Sequence, residues 1–133
     1  MVAIAPSAGP RETVLHVDHY DNVGAENFEK MEAFAAEFAY ATGRRHRKTN
    51  NLLTAGRKLE LEKIVDLYAA AEVVLTSRLH GCIIASALER PFLAVTADRK
   101  VNAFMRAAGL ERWICSLAEV DTIPARLAEL ERE

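Results

Sequence analysis

The sequence predicts an α/β fold, a Rossmann-like three-layer domain built on a mostly parallel sheet of about 4–5 strands. Three observations predict it. Val73-Val74-Leu75 and Phe92-Leu93-Ala94-Val95 are short, wholly apolar runs, the pattern of strands covered on both faces. Segments whose apolar residues recur at helical spacing alternate with such runs along the chain. Alternation at this spacing implies βαβ units, whose right-handed crossovers lay successive strands parallel.

Each element follows in order. Val14 to Asp18 is β-rich and runs into the polar His19-Tyr20-Asp21-Asn22, a strand leading to a loop. From Ala25 to Thr42, Phe28, Met31, Phe34 or Ala35, and Phe38 share a helical face, and Gly43 is a stop signal. Arg44 to Thr54 has only Leu52 and Leu53 as strongly apolar residues, so a short edge strand and a plain loop both fit it. Beyond Gly56, Leu61, Ile64, Val65 and Tyr68 mark a helix from about Leu59 to Ala70, which leads into the strand Val73 to Thr76.

Leu79, Cys82, Ile83 and Ser86 or Ala87 then mark a helix reaching Glu89, with small residues Gly81, Ala85 and Ser86 suited to close packing on a sheet. Pro91 introduces the strand Phe92 to Val95. Lys100 to Ala108 reads as a helix ended by Gly109, Trp113 to Cys115 as a last strand, and Ile123, Leu127 and Leu130 as the inner stripe of a terminal helix. There is no internal repeat or low-complexity linker.

At 133 residues the chain is read as a single domain spanning 1–133, and its 50% apolar and 27% charged residues suit a soluble globular protein. A net charge of −2 lacks the basic surplus that binding a nucleic-acid backbone requires, so no nucleic-acid partner is expected. No apolar run approaches the ~20 residues of a membrane span, and Met-Val-Ala-Ile-Ala-Pro lacks the basic start of a signal peptide. Cys82 and Cys115 form neither a disulfide framework nor a metal pair, which points to a reducing, cytoplasmic location.

The candidate site is the turn Thr76-Ser77-Arg78-Leu79-His80-Gly81. In a parallel sheet every strand's carboxyl end lies on one edge, so the loops after Leu75, Val95 and Asp18 should open onto one crevice. The first supplies Arg78 and His80, the second Asp98 and Lys100, and the third His19. Both the Arg78 to His80 segment and Lys100 stand at predicted helix starts, where unpaired N–H groups and the positive dipole end favour an anion. Each charge-assisted bond to a phosphate or carboxylate contributes roughly 1.5–3 kcal/mol.

Other polar residues read as structural. Asp98, two residues before Lys100, suits an N-cap. His16 and Asp18 share a strand face and adjoin His19, but without a cysteine or second carboxylate at ligand spacing they make no metal site. The basic cluster Arg44 to Lys48 reads as a solvated loop after a helix, with acidic glycans or anionic lipid headgroups as the functional alternative. Cys82 reads as an inert core thiol and Trp113 as a partly buried anchor against the last helix.

The stretch from Leu67 through Val73-Val74-Leu75-Thr76-Ser77-Arg78-Leu79-His80-Gly81, with Pro91-Phe92-Leu93-Ala94-Val95 and Asp98-Arg99-Lys100-Val101, resembles the polysaccharide pyruvyl transferase family. The likeness runs from about Leu59 to Leu117 and joins the Arg-Leu-His-Gly turn to a lysine after the next strand and to Gly109-Leu110 after the following helix. The resemblance implies one Rossmann-like half of a GT-B-like, two-half architecture, the C-terminal half, which contributes to a phosphoenolpyruvate site.

By that resemblance Arg78 and His80 are the catalytic residues, and Arg78, Leu79, His80 and Lys100 bind the substrate. Arg78 would hold the donor's phosphate or carboxylate, His80 would transfer a proton or hold the same anion, and Lys100 would add a phosphate contact. The implied partners are phosphoenolpyruvate and a glycan acceptor, with no cofactor. A chain of this length leaves no room for a second half, so it is expected to be inactive alone and to pair with a missing N-terminal half or a second copy. Peripheral membrane association is a further expectation. The alternatives are a GT-B-type nucleotide-sugar half and a non-catalytic half-domain.

Overall fold

Five strands, all parallel, build the sheet in the order β2-β1-β3-β4-β5: β1 (Thr13–Val17), β2 (Arg45–Thr49), β3 (Ala71–Thr76), β4 (Phe92–Val95) and β5 (Ile114–Cys115). The computed structural model describes residues 12–17, 23–49, 58–96 and 98–132. Among the described residues five α-helices flank the sheet: α1 (Ala25–Ala41), α2 (Lys58–Ala69), α3 (Leu79–Ala87), α4 (Arg99–Ala107) and α5 (Ile123–Glu131). α1 packs on β1 and β2 and against α5, while α3 sits between α2 and α4, so the helices form the two outer layers of an α/β, Rossmann-like fold.

The central strands are buried on both faces, which is why their sequences are continuously apolar rather than alternating. Val14, Leu15 and Val17 of β1, Val73, Val74 and Leu75 of β3, and Leu93, Ala94 and Val95 of β4 are all fully buried. Burying side chains of the Val or Leu class contributes roughly 1.5–3 kcal/mol each, so these three strands are the main source of stability. Met31 and Ala35 seal the sheet from α1, Ile123 and Leu127 from α5, and Tyr68 and Cys82 from the opposite layer.

Two readings are corrected. The basic cluster is not a solvated loop: Arg45 to Thr49 form the edge strand β2, in register with Thr13 to Val17 of β1. Its hydrogen bonds to one neighbour hold it extended although no side chain in it is strongly apolar, and charged residues on an edge discourage pairing with a further strand. Trp113 lies in a short 3-10 turn, Glu111–Trp113, that precedes a two-residue β5, although it is buried near Leu130 of the last helix as expected. Other boundaries move by a residue or two, most at β3, which begins at Ala71.

The strand order reverses between β1 and β3, since β2 lies on one side of β1 and β3 on the other. Open α/β sheets bind ligands outside the strand carboxyl ends at such a point. The turn from Thr76 to Leu79 leaves β3 there. The loop after β1, with Asp18 and His19, lies outside the described residues.

Candidate functional site

A polar cleft of about 240 Å³ opens at the carboxyl edge of the sheet, lined by Ser77, Arg78, Leu79, His80, Thr96 and Asp98. Two loops build it. The first connects β3 to α3, and the second connects β4 to α4. The structure therefore brings Arg78, Leu79 and His80 together and sets Asp98 opposite them. Lys100 is exposed and is not among the residues lining the cleft.

The two loops end their strands in the same way. The Thr76 hydroxyl oxygen accepts the Arg78 N–H at 3.1 Å, and the Thr96 hydroxyl oxygen accepts the Asp98 N–H at 2.7 Å. Each threonine turns the chain sharply into its helix by a local side-chain bond. Ser77, itself buried, is held by its N–H to the Val17 carbonyl at 3.2 Å, which ties the turn to the end of β1.

The helix starts then differ in chemistry. Arg78 is the N-cap of α3, makes no side-chain cap, and is followed by no acidic residue in the first turn. Among the described residues no side chain accepts from the leading N–H groups of α3, which begins at the cleft. At α4 the Asp98 carboxylate accepts the Lys100 N–H at 2.7 Å, so that helix start is already capped by a negative charge. Asp98 is thus the N-cap that its spacing predicted, and of the two helix starts expected to favour an anion, among the described residues α3 offers an open one and α4 does not.

Arg78 is half-buried, and its Nε is enclosed without a hydrogen-bond partner among the described residues. An enclosed donor on a guanidinium is costly unless an acceptor meets it, and a carboxylate or phosphate oxygen is the strongest such acceptor. His80 is exposed at the mouth. The cleft can therefore hold a small anion between a guanidinium, a helix start and an imidazole. Ser77 lies within the turn that the sequence singled out, whereas Thr96 was not among the expected site residues. The usable signal was the threonine two residues before each helix N-cap.

The remaining polar residues are not part of this cleft. His16 is buried on the face of β1 that meets α1, with its ring 5.5 Å from Phe28 and 6.5 Å from His46. Nearby, Lys48 and Glu32 form an ion pair at 2.8 Å, and that hydrogen bond holds the Glu32 carboxyl below its usual range. Burial, reinforced by His16, pulls the His46 imidazole below its ordinary value. Among the described residues no three His, Cys, Asp or Glu side chains are grouped to hold a metal ion. Burial pushes the Cys82 thiol up to about 12, and Cys115 is also raised by burial.

A sequence model of the polysaccharide pyruvyl transferase family matches residues 11–99, more than half of the chain, and includes Arg78, Leu79, His80 and Asp98 while stopping one residue short of Lys100. No curated protein and no solved structure matches the chain.

Proposed function

We propose that this chain, which belongs to the polysaccharide pyruvyl transferase family, binds phosphoenolpyruvate in the Arg78 to His80 cleft as the donor-binding part of a pyruvyl transferase. The observation that carries the reading is the enclosed, unpartnered Arg78 Nε beside the uncapped start of α3. A donor with two anionic groups suits two adjacent anion-holding elements.

In the reaction the family name implies, two glycan hydroxyls add to C2 of phosphoenolpyruvate, the C2–O bond to phosphate breaks, and C3 becomes a methyl group. The two hydroxyl protons end on C3 and on the departing phosphate. Arg78 and the α3 N–H groups neutralise charge on the donor and on the leaving phosphate. His80 carries a proton to or from the reacting centre, a role worth ~10²- to 10⁴-fold in rate when the group is well placed. Lys100, in the first turn of α4 and outside the cleft lining, adds long-range attraction for the phosphate rather than a direct bond.

Calorimetric titration with phosphoenolpyruvate and with a UDP-sugar tests the reading. Saturable binding of phosphoenolpyruvate, weakened roughly tenfold by Arg78→Ala and by His80→Ala, is the expected result. Binding of the UDP-sugar with indifference to phosphoenolpyruvate would assign the cleft to a nucleotide sugar instead.

A further inference from the structure

A second concavity lies on the other side of the molecule from the cleft's loops. It is a groove of about 450 Å³ between the edge strand β2 and helix α2, lined by Thr13, Arg47, Lys63, Asp66, Leu67 and Ala70. Small-molecule sites span ~300–1,000 Å³, so the groove is large enough for a saccharide unit. Its floor is firm, because the Thr13 hydroxyl and N–H both donate to the Ala70 carbonyl, at 3.1 and 3.2 Å. Thr13 and Ala70 lie where β1 and β3 begin, at the amino edge of the sheet, whereas the Arg78 cleft opens at the carboxyl edge.

Charge is distributed unevenly over β2 and its surroundings. Arg44 is paired with Glu131 at 2.6 Å and Lys48 with Glu32 at 2.8 Å. Arg45 and Arg47, which alternate with them on the opposite strand face, make no ion pair among the described residues, and neither does Lys63 across the groove. Residues two apart on a strand stand about 7 Å apart on one face. The groove therefore presents exposed cations, Arg47 and Lys63, with one exposed carboxylate, Asp66, between apolar Leu67 and Ala70.

We propose that this groove is a second binding site, distinct from the donor cleft, and that its ligand is an acidic saccharide. A uronate carboxylate lies between Arg47 and Lys63, a geometry in which a guanidinium donates two parallel bonds. Ring hydroxyls donate to Asp66, and the ring's carbon face rests on Leu67. The mixed signs decide among anionic ligands. A phospholipid surface or a nucleic-acid backbone presents negative charge repeated over an area, so Asp66 opposes both, whereas a sugar acid supplies one anion and several hydroxyls on one small ring. The proposal does not depend on which donor the Arg78 cleft takes.

Titration of the whole chain with a glucuronic-acid tetrasaccharide, beside a neutral glucose tetrasaccharide and vesicles of phosphatidylserine in phosphatidylcholine, is the test. The acidic sugar is expected to bind at least tenfold tighter than the neutral one, and Arg47→Ala and Lys63→Ala each to weaken it roughly five- to tenfold. Asp66→Ala is the discriminating variant: it weakens saccharide binding although it removes a repelling charge. Tighter binding on Asp66→Ala, indifference to Arg47→Ala and Lys63→Ala, or binding of vesicles but not of the acidic sugar would each overturn the proposal. Arg78→Ala is expected to leave this affinity unchanged, and a loss there would place the sugar in the donor cleft and overturn it too.

Discussion

Gly81 on α3 lies directly against Thr76 at the end of β3: a Cβ at position 81 would overlap the Thr76 hydroxyl, with Thr76 Cβ 3.1 Å away and Tyr68 Oη 3.3 Å away. The same Thr76 oxygen accepts the Arg78 N–H, so one close approach seats both the helix and the turn that carries the cleft's arginine. Local structure and site chemistry meet at this pair.

Gly81→Ala sets two effects against each other. Alanine in a helix interior gains about 1 kcal/mol over glycine. Overpacking a site with no room costs typically 1–3 kcal/mol, and the overlapping atom belongs to a short side chain fixed in a buried strand. The variant should be destabilised, by up to about 2 kcal/mol in urea unfolding, and should bind phosphoenolpyruvate less well because the turn shifts. In a Thr76→Ala background the penalty should shrink, the signature of direct coupling. A Gly81→Ala protein more stable than the parent would contradict the close approach.

Asp98 makes a separable prediction, because its carboxylate both caps α4 and puts negative charge on the anion cleft. Asn caps nearly as well as Asp, whereas Ala loses about 1 kcal/mol. Asp98→Asn should therefore keep the unfolding midpoint and tighten phosphoenolpyruvate binding severalfold at low salt, a gain that fades as salt rises. Asp98→Ala should tighten binding similarly but lower the midpoint. Lys100→Ala, at an exposed residue outside the cleft, should weaken binding less than Arg78→Ala. Looser binding by Asp98→Asn would show that the carboxylate holds the ligand instead of repelling it.

The uneven legibility of this chain has a physical origin. β3 and β4 are covered on both faces, so their burial is written as unbroken apolar runs, and the turn leaving β3 carried Arg78, Leu79 and His80 with it. β2 is an edge strand whose formation rests on backbone pairing with β1, and Arg45 to Thr49 carry no apolar signal of that pairing. Lys100 was placed at a helix start and Asp98 at its cap correctly, but that the carboxylate closes this start to an anion shows only in the bond it accepts from the Lys100 N–H. Thr96 escaped notice because a strand-end threonine owes its part in the cleft to position, not to reactivity.

The two cysteines should be chemically silent in the native protein. Both are buried, and burial pushes the Cys82 thiol to about 12, leaving roughly one part in 10⁴ as thiolate at pH 8. Cys115 is raised as well, with a hydrogen bond to Thr122 offsetting part of the effect. A chromogenic disulfide reagent should label neither cysteine at pH 8 and both after denaturation. Rapid labelling of the folded protein at either position would place that thiol at the surface.

Acid should loosen the α1 side of the sheet first, and His46 sets where this begins. Its Nε2 is enclosed without a partner, and its ring is packed near buried His16, with Glu32 and Lys48 as the charged neighbours. Burial, then the neighbouring His16, lowers its pKa from the ordinary 6.5, while Glu32 raises it and only partly offsets them. Above about 6.5 the imidazole is neutral in both folded and unfolded chains, so this residue costs nothing. As pH falls below that value the unfolded chain takes up a proton that the folded chain resists, so stability declines until the folded form is protonated too. Glu32 acts lower and in the same direction: its carboxyl is held below the ordinary 4.5 by Lys48, so the pair's stabilisation is lost only as the folded carboxylate becomes protonated. Thermal unfolding followed from pH 7.5 to pH 3 should show two declines. His46→Gln should flatten the upper one and leave the lower, whereas Glu32→Gln should remove the lower one. A midpoint that rises between pH 7 and pH 5.5 would mean that His46 is better held charged than neutral, the reverse of what its burial dictates.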